Sequence, residues 1–258
     1  MGDPIVSNDF VGLGAITSRS EVAGYSDDNV ENYWHLKQRF RANDLAKNDW
    51  LLKCNFKAVK SVAAIALFDV NTNKIKFQLH SVDAWGAPNH DSGGLVVSRS
   101  QLTGRYNIIY IPSAVVTEQW MRVFIPSTAS AVGSYTTKWE VGAMVVLDSY
   151  ETIEKYGYSR TAVKAFEDIS LPHGGVERIS LGDEWRWEGT IDIPQRAEKD
   201  EDQYWTFNLF NPSEPMIFYE NRGETQNVYL CLRDDAYEGN LVHHGVVTGN
   251  SIHMKELI

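Results

Sequence analysis

Asp49-Trp50-Leu51-Leu52-Lys53-Cys54-Asn55-Phe56, a short basic connection over 57–60, and Ser61-Val62-Ala63-Ala64-Ile65-Ala66-Leu67-Phe68-Asp69 form the stretch whose reading decides the fold class. Trp50, Leu52, Cys54 and Phe56 alternate with Leu51, Lys53 and Asn55, the period of an extended strand with one apolar and one mixed face. The run 62–68 is short and apolar almost without interruption, as expected of a strand buried on both faces of a sandwich core. Together the two runs read as paired central strands of an all-β protein.

The flanking sequence extends this reading in both directions. Ile75-Lys76-Phe77-Gln78-Leu79-His80 alternates cleanly after an Asn- and Asp-rich turn, and further strands are expected over 95–97, 106–111, 120–125 and 139–147. The second half offers strands at 184–193, 216–219, 227–232, 241–247 and 251–257. Short strands at regular spacing between Gly and Pro turns are the pattern of β-sandwiches. Residues 1–31, rich in Gly, Ser, Asp and Asn, read as an extended N-terminal arm able to reach a neighbour. A short helix or irregular approach is expected over 32–46, and a charged surface helix over 195–204. The resulting division is an arm (1–31), a first sandwich (32–149) and a second β domain (150–258).

Composition narrows the classes of function. The 258 residues carry a formal net charge of −10 and are 43% hydrophobic and 22% charged, as in ordinary globular proteins. An acidic chain is poorly suited to a nucleic-acid backbone, so no sequence-specific nucleic-acid binding is expected. No apolar run approaches a membrane span and no leader pattern opens the chain, so synthesis in the cytoplasm and no membrane insertion are expected. Cys54 and Cys231 both lie within apolar alternation and read as buried thiols rather than as a disulfide.

The loop from 83 to 94 holds the clearest binding candidates. Trp85 suits stacking on a sugar, with Asp83, Asn89, His90 and Asp91 as hydrogen-bonding groups or calcium ligands. The plainer alternative is that these residues make local turn contacts and that Trp85 covers the sandwich end. His243, His244 and His253 invite a metal reading, but neighbours on a strand point to opposite faces, so no metal and no cofactor are expected. Asp183, Glu184, Glu188 and Asp192 are carboxylates without an accompanying nucleophile elbow or phosphate-binding loop, and no enzymatic activity is expected. Tyr156, Tyr158, Trp185 and Trp187 are candidate interface aromatics, with core burial as the alternative. The charged run 196–202 reads as a solvated surface or as a contact that fixes register between copies.

Asp49-Trp50-Leu51-Leu52, Lys60-Ser61-Val62-Ala63-Ala64-Ile65-Ala66-Leu67, Asp91-Ser92-Gly93-Gly94, Trp120-Met121-Arg122-Val123 and Glu140-Val141-Gly142-Ala143-Met144 occur in an order that resembles tail-tip structural proteins of long-tailed bacteriophages. Tyr156-Gly157-Tyr158-Ser159, His173-Gly174-Gly175, Trp185-Arg186-Trp187 and Pro215-Met216-Ile217-Phe218 continue that order, so the resemblance spans roughly residues 40–258. It implies a discoidin-like, galactose-binding-type jelly roll followed by a distal-tail-like β domain. It also implies an architectural role: a homo-oligomeric ring in the virion tail tip or baseplate, partnered by the tail tube and other tail proteins. The competing expectation is a carbohydrate-binding module or adhesin that holds a host glycan through the discoidin-like domain.

Overall fold

The computed structural model describes residues 5–33, 38–100, 103–133, 136–152, 155–170, 176–193, 215–220, 223–233, 241–242 and 246–257. The chain begins with β1 (Ile5–Ser7), β2 (Ala15–Ser18), a 3₁₀ turn (Asp27–Glu31), β3 (Phe40–Arg41), β4 (Asp49–Val62), β5 (Ala64–Phe68) and β6 (Lys74–His80). It continues through β7 (His90–Asp91), β8 (Leu95–Val96), β9 (Ser98–Arg99), β10 (Tyr106–Tyr110), β11 (Val116–Ile125), β12 (Glu140–Val141), β13 (Ala143–Leu147) and β14 (Glu151–Thr152). The remaining strands are β15 (Lys155–Ser170), β16 (Val176–Ile193), β17 (Met216–Tyr219), β18 (Val228–Arg233), β19 (Leu241–Val242) and β20 (Val246–Glu256). Among the described residues no helix is long and apolar enough to cross a membrane.

The strands form three main antiparallel layers. A six-stranded sheet, β2-β4-β11-β6-β7 with β8 beside β6, faces a four-stranded sheet, β13-β5-β10-β9. Leu52, Cys54, Phe77, Met121 and Val123 from the first meet Ile65, Leu67, Ile108, Met144 and Val146 from the second. The four-stranded sheet is apolar on its other face too. Ala64, Ala66, Phe68, Val145 and Leu147 pack there against Ile5, Ile217, Tyr219, Val228 and Leu230 of the third sheet, β14-β1-β17-β18-β20-β16-β15. The expectation that 62–68 is buried on both faces therefore holds for β5, whose five residues are all buried. Burial of each Val, Leu or Ile contributes about 1.5–3 kcal/mol, so this middle sheet ties the outer two together.

The expected pairing of the two opening runs is corrected by the register. β4 pairs with β2 and β11, whereas β5 pairs with β10 and β13. Only Ala63 separates them, and at that residue the chain steps from one sheet into the next. The supposed basic connection belongs to β4 itself, where Lys57 sits at φ 63 and its N–H donates to Asn55 Oδ1 at 2.9 Å. Opposite it the β11 register jumps between Glu118 and Trp120, so the extra residues form a bulge that bends the strand without ending it. A second shift, between Val123 and Phe124, lets Leu51 and Leu52 both bury while Trp50 stays half-exposed.

The N-terminal stretch is extended but lies along its own chain. β1 fills a place between β14 and β17, β2 pairs with β4, and Val11, Leu13 and Val30 enter the core. Of the two expectations for 32–46, the described residues there follow the irregular approach, with the short strand β3 within it and the 3₁₀ turn, capped by Ser26, just before it. The expected charged helix over 195–204 lies outside the described residues. Cys54 and Cys231 are both free and buried, and burial pushes both thiols above their usual pKa.

Candidate functional site

Antiparallel register sorts the outer face of the six-stranded sheet into rungs. Lys53, Arg122, Gln78 and Asp91 share one rung across β4, β11, β6 and β7. Trp50, Phe124 and Lys76 share the next, and Asn55, Trp120 and His80 another. The inward partners on β11, Met121, Val123 and Ile125, are buried, which leaves Trp120, Arg122 and Phe124 half-exposed on the opposite side. This is the two-residue period of a sheet with one face in the core.

The loop after β6 brings Trp85 back across this face. Arg122 Cζ lies 4.5 Å from the Trp85 ring centroid and 5.2 Å from that of Phe124, so the guanidinium sits close to two aromatic rings. His80 meets Trp85 edge-on, with centroids 6.1 Å apart. Trp85 Nε1 donates to Asp83 Oδ1, and Lys53 Nζ holds the same carboxylate at 3.1 and 3.2 Å. Lys53 in turn lies 4.6 Å from the Trp50 centroid. The Trp85 hydrogen bond, aided by Lys53 and Arg122, keeps the exposed Asp83 carboxyl below its ordinary pKa.

A chain of hydrogen bonds runs on from Arg122. Its Nε donates to Gln78 Oε1 at 2.6 Å, and Gln78 Nε2 donates to Asp91 Oδ2 at 2.6 Å. Burial would raise the Asp91 pKa, but the Gln78 bond, the Gly93 N–H and nearby Lys76 and His90 outweigh it and hold the group below its usual value. Burial pulls the Arg122 pKa down while Asp49, Asp91 and Asp83 oppose that shift. Among the described residues Arg122 makes one hydrogen bond, through Nε, and both Nη groups remain available.

The five loop candidates are thus divided. Asp83, Trp85 and Asp91 join the outer face, whereas His90 pairs with buried Leu79 and contacts the Tyr110 hydroxyl at 2.8 Å. Asn89 donates to Glu118 Oε1 at 2.8 Å. Asp83, Trp85 and Asp91 lie over the sheet face rather than at the sandwich end, because Trp85 rests on Arg122 of β11. Among the described residues no group of three or more His, Cys, Asp or Glu could hold a metal ion; the loop aspartates instead face Lys53 and Lys76. Arg122, Lys53 and Gln78 escaped the sequence reading, although their place on the polar side of alternating strands was the signal that could have found them.

The other candidates lie in the third sheet. Tyr156 is opposite Ile191, Tyr158 opposite Gly189, Trp187 opposite Arg160 and Trp185 opposite Ala162. All four aromatics thus belong to the β15–β16 hairpin. His253 pairs with Glu188, while His243 and His244 lie outside the described residues.

No protein-family profile matches the sequence, and no curated protein matches it significantly. Among solved structures, chitosan-binding module 1 from the chitosanase/glucanase of Paenibacillus sp. IK-5 is similar at 14% identity and TM-score 0.37, over 53% of this chain and 96% of that one. CBM32-1 from a family 31 glycoside hydrolase of Clostridium perfringens is similar at 7% identity and TM-score 0.41, over 54% and 96%. The lectin domain of lectinolysin, complexed with Lewis B antigen, is similar at 12% identity and TM-score 0.34, over 53% and 93%. Likenesses this partial do not bear on function.

Proposed function

We propose that the outer face of the six-stranded sheet is a non-catalytic carbohydrate-binding site, with Trp85 as its platform. The observation that carries this reading is a half-exposed indole held from two directions, by Arg122 against its ring and by Asp83 at Nε1. A pyranose offers an apolar C–H face to an aromatic ring and a rim of hydroxyls that both donate and accept. The available Nη groups of Arg122 supply donors beside Trp85, and Asp83 and Asp91 supply acceptors. Lys53 and Lys76 accompany those aspartates, which suits a neutral sugar.

The test is a broad glycan array followed by calorimetric titration of the best hit. Trp85→Ala and Arg122→Ala are each expected to weaken binding at least about tenfold, or ~1.4 kcal/mol. Both carboxylates titrate below the usual 3.8 when folded, so their contribution is complete above that value and is lost as pH falls through the depressed folded values. Affinity should accordingly hold from neutral pH down through the ordinary carboxylate range and fall only below it. Equal binding by parent and Trp85→Ala, or no binding to any glycan, would sink the reading.

A second reading, a ring-forming subunit of a phage tail tip in the virion, is favoured by the β15–β16 hairpin. Its 16-residue edge strand reaches about 50 Å, and β20 accompanies β16 only over 186–193. Two-stranded ribbons are marginal alone, so a neighbouring copy along the part of this one that β20 does not accompany would stabilise it. Light scattering on the full chain should then give a closed oligomer of several copies. A monomer at high micromolar concentration counts against it.

A further inference from the structure

A cleft of about 450 Å³ opens elsewhere on the first sandwich, lined by Arg39, Asp69, Arg99, Arg105, Tyr106 and Glu140 among others. None of these residues belongs to the face that carries Trp85. The carboxylates at the cleft are already engaged. Buried Glu140 accepts from Arg39 Nη1 at 3.2 Å and from Arg41 Nη2 at 2.5 Å, and Asp69 takes Arg39 Nη2 at 2.8 Å. Arg105 reaches Glu256 at 3.6 Å and donates to the Leu257 carbonyl at 3.3 Å.

Arg99 differs from these. It is exposed, and among the described residues it has no carboxylate partner. Yet its guanidinium is held: Nε donates to the Gly104 carbonyl at 2.8 Å, and the plane lies so close to Gly104 that a Cβ there would sit 3.1 Å from Nη2. Gly104 also has φ +70, a conformation that favours glycine. Three guanidinium groups, of Arg39, Arg99 and Arg105, therefore line the cleft with two carboxylates, of Asp69 and Glu140, a local positive excess on a chain of net charge −10.

We propose that this cleft binds a small ligand bearing one oxyanion group, a carboxylate or a phosphate, paired with the two Nη groups of Arg99. A planar guanidinium fixed through Nε presents Nη donors in the geometry that grips two oxygens at once. The rest of the ligand lies along Tyr106. The volume falls in the range of small-molecule sites and admits a group of sugar size. An acidic sugar and a phosphorylated metabolite share this headgroup chemistry.

The full chain is titrated by NMR or calorimetry with glucuronate, with glucose as the neutral control, and with inorganic phosphate. Glucuronate is expected to bind, to weaken as salt rises, and to lose at least about tenfold in Arg99→Ala. Arg99→Lys should recover only part of that loss. Gly104→Ala, which leaves the charge in place but displaces the guanidinium, should weaken binding as well. In the Arg122→Ala background, where the sugar face is disabled, the Arg99-dependent part of glucuronate binding should persist, which separates this cleft from the sugar face. Phosphate competing with glucuronate supports recognition of the oxyanion itself, and phosphate binding alone assigns the site to phosphorylated ligands. Binding of neither anion, equal binding by the parent and Arg99→Ala, or glucuronate binding abolished by Arg122→Ala would overturn the proposal.

Discussion

Replacing Trp139 by alanine is expected to lower the stability of the protein by about 3–5 kcal/mol, the range for deleting a fully buried large aromatic side chain. Trp139 is among the largest fully buried side chains and belongs to the core between the six- and four-stranded sheets. Its Nε1 donates to the Ala46 carbonyl at 2.8 Å, and its backbone carbonyl accepts from Ala42 N–H at 2.9 Å. The indole thus fixes the irregular approach from β3 to β4 against the start of β12. Alanine leaves a cavity and an unsatisfied carbonyl, whereas Trp139→Phe keeps most of the volume and removes mainly the hydrogen bond, about 1–3 kcal/mol. Urea denaturation of both variants checks this through the midpoint at constant slope. A loss below about 1 kcal/mol in Trp139→Ala would show that the indole does not anchor this corner.

The run from Trp139 reads in sequence as one strand over 139–147, whereas Trp139 precedes β12 and Gly142 divides the rest into β12 and β13 of different sheets; much of the first sandwich was legible more directly. Alternation in 75–80 and 120–125 located β6 and the later half of β11, and unbroken apolarity located β5. Which strands pair was not legible. β4 and β5 follow each other with one residue between them, yet their partners β11 and β10 lie many tens of residues further on. Local pattern carries no information about such distant partners, and hydrophobic runs in sequence read alike whether they share a sheet or face each other. The bulge at Lys57 misled for a related reason. A run of exposed basic residues looks like a loop, although a positive φ and an Asn55 side-chain contact keep it within a strand.

The candidate site shows the same division. Trp85, Asp83 and Asp91 were found because they are unusual residues in a Gly-containing loop. Arg122, Lys53 and Gln78 were not, because each is ordinary on the polar side of a strand. Their significance comes from a register that aligns three strands and from a loop that folds back across them. The N-terminal segment misled through composition: Gly12, Gly14 and the surrounding polar residues suggest a free arm, while alternate apolar residues, Val11 and Leu13, are core.

Gly14 decides how that segment joins the fold, and Gly14→Ala is expected to cost about 3 kcal/mol or more, from left-handed strain combined with a steric clash. Gly14 has φ +74, and an added Cβ would drive into the backbone carbonyl of Asn55 on β4. Backbone cannot move aside as a flexible side chain would. Ala15 pairs with Asn55 at this point and Leu13 is fully buried one residue earlier, so a shift would disturb both the β2–β4 pairing and the core. Gly24 provides the control. It has φ +84 but open space around its missing Cβ, so Gly24→Ala bears only the conformational penalty, about 1 kcal/mol. Chemical denaturation of the two variants side by side separates clash from conformation. Equal losses would mean that β2 is free to lift off β4, and that the N-terminal stretch is attached to the sandwich far more weakly than its buried Leu13 implies.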